Sequence, residues 1–191
     1  DLVLPSSLLE CHTDERGDLK LIVNAREGDG VYGVTDLARR QLAEKLKIPF
    51  AYFERMRAEQ PSLLDGNVNT WLQTDPERRM LRTLDGRVRA MLSDRYRRLD
   101  HYDLAEHVLP FLQRLPDARF ESVELTETKM YLKVVTPRVE YEIAPGDVVQ
   151  AGIVITNSEV GLGMLAVQPL VYRLVCRNGL IASDRALRKT H

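Results

Sequence analysis

The chain has 191 residues, with 27 Lys and Arg against 28 Asp and Glu, a formal net charge of -1, and is 44% hydrophobic. These values are typical of a soluble globular protein and exclude fibrous and disordered classes. No signal-peptide pattern opens the sequence, and its longest uncharged stretch, 160–172, is too short to cross a bilayer, so we expect a cytoplasmic protein without a membrane segment.

The cysteines and histidines predict neither a disulfide framework nor a zinc site. Cys11 and Cys176 lie far apart in unlike contexts, and the four histidines are scattered. We therefore expect no metal and no cofactor. Because the chain begins at Asp1 without a methionine and stops at His191 after a basic run, we also expect a piece of a longer protein.

The character of the sequence changes near residue 75. A strand at 18–24 and a glycine-rich turn at 26–33 precede a helical region, and strand-like alternation follows it. We divide the chain into an N-terminal strand and helical region, 1–76, and an antiparallel sheet plus helix domain, 77–191, within one compact unit.

Short helices are predicted over residues 35–72. Apolar residues recur at helical spacing after Thr35 or Asp36, either of which can cap the first helix. Pro49 and Pro61 stand where first-turn prolines belong. The stretch QLAEKLKIPFAYFERM has the sequence pattern of a DNA-reading helix-turn-helix, two short helices joined by a turn. The alternative is a helical layer that covers the sheet.

A β-hairpin is predicted around Asp85-Gly86, because that pair tolerates the positive φ angles of a type I′ turn. A two-residue turn pairs Leu84 with Arg87 and places Arg82 opposite Arg89. One face is then apolar: Leu81, Thr83, Val88, Ala90 and Leu92. The other face is basic: Arg78, Arg82, Arg87 and Arg89.

Positive charge is concentrated in this segment. Residues 78–98 hold eight arginines, and residues 77–98 carry a net charge of +5 in a chain whose total is -1. Arginines that face each other on a sheet repel. A polyanion along that face would turn the repulsion into binding free energy, because a guanidinium can fork onto a phosphate. The alternative is neutralisation by carboxylates from elsewhere in the chain.

A helix that Asp100 or Asp103 can cap follows the hairpin, with Pro110 expected to kink it. Its apolar positions keep helical spacing: Leu104, Val108, Leu109, Leu112 and Leu115. The junction between strand and helix places Tyr96 between two arginines, Arg95 and Arg97. This arrangement is typical of single-stranded nucleic-acid sites, with a ring for a base and cations for phosphates. It is equally typical of a surface turn.

The remainder predicts sheet. Residues 119–128 and 129–136 alternate and predict a second hairpin, and the apolar run 146–176 predicts central, buried strands. Gly152 indicates a bend or a close approach, and Pro169 indicates a bulge or an edge.

Arg173 stands in an apolar strand and needs an anion, either a ligand or a carboxylate such as Glu159. Taken together, the elements predict an α+β fold: N-terminal short helices followed by a mostly antiparallel sheet with a strand-strand-helix unit packed on it.

Three segments, SDRYR, NSEVG and YRLVCRNG, occur here in that order, and the sequence from about residue 35 onward resembles the phage- and plasmid-associated domain of unknown function 932 family. The setting of that family, and a strand-strand-helix arrangement similar to phage single-strand annealing proteins, imply recombination or other nucleic-acid work. Annealing proteins of that kind assemble into rings or filaments, so the resemblance also implies a homo-oligomer. The resemblance singles out three groups of residues: Ser93, Asp94, Arg95, Tyr96 and Arg97; Asn157, Ser158 and Glu159; and Tyr172, Arg173, Cys176, Asn178 and Gly179.

Two other functions remain open. Asp117, Glu127 and Lys129 stand in the order of a restriction-type nuclease that holds a divalent metal, although the acid-x-lysine pattern is common by chance. A protein-interaction module is the third possibility. We expect no enzyme and no catalytic residue, but a protein that binds nucleic acid, preferably single-stranded DNA. The predicted contact residues are Arg78, Arg82, Arg87, Arg89, Arg95, Tyr96, Arg97 and Arg173.

Overall fold

The computed structural model describes residues 1–174 and shows an α+β chain that forms two units, Asp1–Arg97 and Arg98 onward. The expected fold class is confirmed, with two mostly antiparallel sheets in place of one. The unit boundary falls after residue 97 and not after residue 76, because the arginine hairpin pairs with strands from the start of the chain.

The first unit contains a six-stranded sheet in the order β1-β5-β6-β4-β3-β2. Its strands are β1 (Leu2–Pro5), β2 (Leu9–Thr13), β3 (Leu19–Val23), β4 (Gly30–Val34), β5 (Arg78–Leu84) and β6 (Arg87–Ser93), with a short 3-10 helix at Ser6–Leu8. Every neighbouring pair is antiparallel except β4 and β6. The predicted strand at 18–24 is confirmed as β3. The predicted turn at 26–33 is partly wrong, because its second half forms β4.

Three helices cover one face of this sheet: α1 (Asp36–Lys45), α2 (Phe50–Glu59) and α3 (Pro61–Thr74). Thr35 caps α1, since its side chain accepts a hydrogen bond from the Ala38 N–H. Leu42, Phe53 and Val68, one from each helix, are fully buried in the same apolar core as the sheet residues. The helices therefore form the covering layer that was the alternative to a helix-turn-helix.

Helix α3 also protects the edge of the sheet. Asp65 and Asn69, four residues apart on one helix face, bind the backbone of edge strand β2. The Asn69 side chain accepts from the Cys11 N–H and donates to the Cys11 carbonyl, while Asp65 accepts from the N–H and the hydroxyl of Thr13. An uncovered edge strand is a template for aggregation, and these contacts occupy it.

The second unit is a four-stranded antiparallel sheet in the order β10-β9-β8-β7, with one helix. Its elements are α4 (His101–Leu112), β7 (Arg119–Leu125), β8 (Met130–Ala144), β9 (Asp147–Asn157) and β10 (Ala166–Leu174). Leu104 and Leu112 of α4 pack with Leu132, Val134 and Ile155 of the strands. Within the second unit α4 therefore packs on the four-stranded sheet, whereas within the first unit the arginine hairpin packs on α1.

The second predicted hairpin is confirmed as β7 and β8. Gly152 makes the predicted close approach, since a Cβ atom there would lie 2.4 Å from the Val134 carbonyl oxygen. The apolar run is only partly central: β9 lies inside the sheet, whereas β10, with Pro169, is an edge strand with exposed side chains. No helix within residues 1–174 has both the length and the apolar character needed to cross a bilayer.

Candidate nucleic-acid interface

The tip of the arginine hairpin has the predicted turn. Asp85 and Gly86 have φ angles of 49° and 70°, the two positive values that a type I′ turn requires. Leu84 pairs with Arg87 and Thr83 with Val88, as the two-residue loop implies. The local signal in the sequence was therefore sufficient to place the turn.

Beyond the turn the predicted register is wrong, because β6 contains a bulge. Arg82 pairs with Ala90 and Leu81 with Met91, which leaves Arg89 as the extra residue of the bulged strand. Arg82 therefore does not stand opposite Arg89, and the repulsion expected between them is absent. The bulge also places Met91 in the core beneath the helices, where Ala90 was expected.

Arg82 is buried, which contradicts its prediction as an exposed phosphate contact. Its side chain is 7% exposed, and its Nε lies 3.2 Å from Oδ1 of Asp1. Strand β1 causes this burial, since its pairing of Leu2 with Leu81 brings the preceding residue, Asp1, beside Arg82. The sequence interpretation omitted β1, and the alternation of Leu2 and Leu4 was the signal for it.

Arg87 and Arg89 lie near the turn in different environments. Arg87 is exposed, and its side chain passes over Gly33 of the parallel neighbour β4, where a Cβ atom would lie 3.5 Å from the Arg87 Cγ. Arg89 is half-buried, and its carbonyl accepts a hydrogen bond from the Thr35 hydroxyl at 3.1 Å. Of these two, Arg87 is the better candidate for a contact with an external anion.

Three arginines meet at the open end of the hairpin, where β5 begins and β6 ends. They line a cleft of about 450 Å³, which we call the arginine cleft. The residues that line it are Glu77, Arg78, Arg79, Ser93, Asp94 and Arg95. Arg79 is already neutralised, since its Nη2 lies 2.5 Å from Glu77 Oε2. Arg78 and Arg95 are exposed, and neither forms an ion pair with any described residue.

A tight turn after β6 positions Arg95 and Tyr96. The Ser93 hydroxyl accepts from the Arg95 N–H at 3.2 Å, and the Ser93 carbonyl accepts from the Tyr96 N–H at 3.0 Å. Tyr96 is half-buried and Arg97 is exposed. The SDRYR segment therefore presents two exposed guanidinium groups, with a partly accessible ring between them in the sequence.

Arg173 belongs to the second unit and has a carboxylate of its own. Its Nε donates to Asp147 Oδ1 at 2.7 Å, and its Nη2 donates to Asp147 Oδ2. This hydrogen bonding lowers the pKa of Asp147 below its ordinary value. The expected pairing with Glu159 is wrong, because Arg173 pairs with Val149, and Glu159 lies beyond the far end of β9, which is eight residues and roughly 26 Å from Val149.

The NSEVG segment forms local structure in the second unit. The Asn157 amide donates to the Leu99 carbonyl at 2.9 Å, and Glu159 accepts from the His101 N–H at 2.7 Å at the start of α4. The Ser158 hydroxyl donates to the Thr128 carbonyl at 2.8 Å. These bonds connect the end of β9 to α4 and to the β7–β8 turn. The described residues of the NSEVG segment therefore have a structural role.

The predicted elements of a nuclease site do not come together. Asp117 precedes β7 and pairs with Arg138 at 2.6 Å, whereas Glu127 and Lys129 follow the same strand. Seven strand residues separate the two carboxylates by roughly 23 Å, too far for one metal ion. Within residues 1–174, no group of three or more His, Cys, Asp or Glu residues is arranged to hold a metal.

Part of the resemblance falls on residues outside the described range. Cys176, Asn178 and Gly179 of the YRLVCRNG segment lie there. So do basic residues near the C-terminus: Arg177, Arg185, Arg188 and Lys189.

The comparisons with known proteins give one match. Neither the curated proteins nor the solved structures contain a match to this chain. The family model described as Domain of unknown function (DUF932) matches residues 90–191, which include the end of β6 and all of the second unit. This match covers more than half of the 191 residues, and the chain is a member of the DUF932 family.

Proposed function

We propose that this protein binds single-stranded nucleic acid and that the arginine cleft holds the phosphates. The observation that carries the proposal is the pair Arg78 and Arg95, two exposed guanidinium groups at one end of the hairpin without a carboxylate partner among residues 1–174. A phosphate oxygen pair matches the fork of a guanidinium, so each of these side chains can contact one phosphate.

The structure reduces the predicted contact surface. Of the hairpin arginines, Arg79 and Arg82 are matched by carboxylates of the same chain. Four arginines between residues 78 and 98 are exposed and form no ion pair with a described residue: Arg78, Arg87, Arg95 and Arg97. If all four contact phosphates of a single strand, binding should weaken by about 2.8 log units per tenfold rise in salt.

Tyr96 supports a preference for single strands. Its ring lies in sequence between the exposed side chains of Arg95 and Arg97 and is partly accessible. An aromatic ring can stack on an unpaired base, whereas the bases of a duplex are already stacked on each other. The same geometry does not distinguish DNA from RNA.

From the family resemblance, the proposal also includes a role in recombination on a mobile element and assembly into a homo-oligomer. From the sequence, it includes a cytoplasmic location. Assembly can be tested by sedimentation with and without an oligonucleotide. A ring- or filament-forming annealing protein should sediment as species much larger than one chain, while a protein that remains one chain under both conditions is not of that type.

One binding series separates the three functions considered. Fluorescence anisotropy would be measured with single-stranded and double-stranded oligonucleotides of one sequence, each with and without magnesium. We expect binding to the single strand without metal and no cleavage of it. Metal-dependent cleavage would instead indicate a nuclease, and no binding under any condition would leave a protein-interaction module.

A further inference from the structure

A second cavity of about 450 Å³ lies in the first unit, between the α1–α2 turn, α3 and the start of β5. The buried side chains of Leu72 and Met91 form part of its lining, so it has an apolar base. Its size lies in the range of pockets that take small molecules. Glu77 and Arg79 line both this cavity and the arginine cleft, so the two adjoin each other in the first unit.

One of the residues that line the cavity carries a buried acceptor that lacks a donor. Asn67 is one of the lining residues, and its Oδ1 is buried without a hydrogen-bond partner among the described residues. Buried polar atoms in native proteins nearly always have a partner, because an unsatisfied one is unfavourable. A ligand that presents an N–H to this atom would satisfy it.

Two aromatic side chains line the same cavity and remain accessible. Tyr52 is 46% exposed and Trp71 is 49% exposed. Trp71 follows Asn67 by four residues on α3, so the ring and the amide share one helix face. A flat ring with an N–H on its edge could contact both side chains at once.

Cations complete the lining. Lys45 and Lys47 come from the α1–α2 turn, where Lys47 adopts a φ angle of 56°, and Arg79 comes from β5. Asp75 and Glu77 are the acidic residues of the lining, and Glu77 is already paired with Arg79. The two lysines therefore favour a ligand that carries a negative charge.

We propose that this cavity binds one nucleotide of a single strand, with the base edge donating to Asn67 Oδ1, the base stacked on an aromatic ring, and a phosphate beside the lysines. This inference rests on the proposed function, since the strand would pass from the arginine cleft into the cavity through the shared residue Arg79. A free nucleoside monophosphate has the same chemistry and is the smallest probe of the site.

The protein contains a single tryptophan, so its fluorescence reports directly on the cavity. Titration with AMP or CMP should quench Trp71, whereas inorganic phosphate at equal concentration should not. Asn67→Leu should weaken nucleotide binding by at least about tenfold, because the apolar side chain accepts no hydrogen bond. Tyr52→Leu, at an exposed position that folding tolerates, should also weaken it.

Two matched variants serve as controls. Asn24→Leu and Tyr102→Leu change exposed residues of the same types outside the cavity, and nucleotide binding should be unaffected. Single-strand binding measured in parallel separates the two proposals. A strand that binds without quenching Trp71, and with equal affinity in the Asn67→Leu variant, overturns the cavity inference alone. Quenching by mononucleotides without any strand binding removes the proposed function and also overturns the cavity as a site for a strand, leaving a site for free mononucleotides.

Discussion

Arg82 and Arg78 lie on the same face of β5, yet among the described residues only Arg82 of the two meets a carboxylate, that of Asp1 at 3.2 Å. Arg82 is buried in that pairing, whereas Arg78 is exposed at the mouth of the arginine cleft. Burial and pairing thus separate two residues that the sequence presents as equivalent. The difference assigns Arg82 to stability and Arg78 to binding.

The first prediction tests this assignment. Arg82→Ala breaks the largely buried ion pair between Arg82 and Asp1, so we expect the free energy of unfolding to fall by about 3 kcal/mol. Arg87→Ala on the same hairpin removes an exposed side chain and should change it by less than about 0.5 kcal/mol. Urea unfolding measures both. Equal effects of the two substitutions would contradict the assignment.

The second prediction concerns the protected edge of the first sheet. Asp65→Ala removes the acceptor for both the N–H and the hydroxyl of Thr13, and we expect a loss of about 3 kcal/mol. Amide hydrogen exchange at Thr13 should become faster than at Leu21, inside the sheet. Asp29→Ala, at an exposed position without these contacts, is the control. If both substitutions change the free energy of unfolding by the same small amount, Asp65 does not protect the edge strand.

The third prediction concerns pH. Burial, and secondarily the negative charge of Asp65, raises the pKa of the Cys11 thiol above its ordinary value of 9.0. The folded state therefore keeps a proton that the unfolded state releases, so this contribution to stability is complete below pH 9 and declines above it. The decline approaches about 1.4 kcal/mol per pH unit.

The matched comparison for this prediction is Cys11→Ala. Other groups titrate at high pH in both proteins, so the quantity to compare is the difference between their unfolding free energies from pH 8 to pH 10.5. That difference should shrink as the pH rises. A constant difference would mean that the folded protein does not hold the thiol in its protonated form.

The fourth prediction uses two glycines with opposite surroundings. Gly152→Ala would place a Cβ 2.4 Å from a backbone oxygen and should destabilise the second unit by about 2 kcal/mol. Gly66 lies within α3 with open space around it, so Gly66→Ala should stabilise the first unit by about 1 kcal/mol. Thermal unfolding would show shifts of opposite sign, and shifts of the same sign would contradict the packing at one of the two positions.

The local elements could be predicted from the sequence because their signals are short-range. The Asp85-Gly86 turn and the cap at Thr35 depend on residues within one turn of the chain, and both are confirmed. The bulge at Arg89 could not be predicted, because it depends on how both faces of the hairpin pack. The burial of Arg82 depends on a strand about eighty residues earlier, which no local pattern connects to it.

Only part of the candidate site could be predicted, because local patterns in the sequence do not show which distant residues come into contact. Charge concentration indicated the hairpin, but it could not show which arginines have carboxylate partners. Arg79 and Arg173 are matched by Glu77 and Asp147, and the second pairing joins positions 26 residues apart. The cavity was not predicted at all, although Asn67 and Trp71 at helical spacing were the available signal.

The salt dependence of single-strand binding tests the central claim most directly. Arg78→Gln combined with Arg95→Gln removes two phosphate contacts, so the slope of log affinity against log salt should become shallower by about 1.4. Arg16→Gln combined with Arg55→Gln makes the same change in net charge at exposed positions outside the cleft and should leave the slope unchanged. If the cleft variant keeps the slope of the unmodified protein, or the control flattens it equally, the arginine cleft does not hold the phosphates.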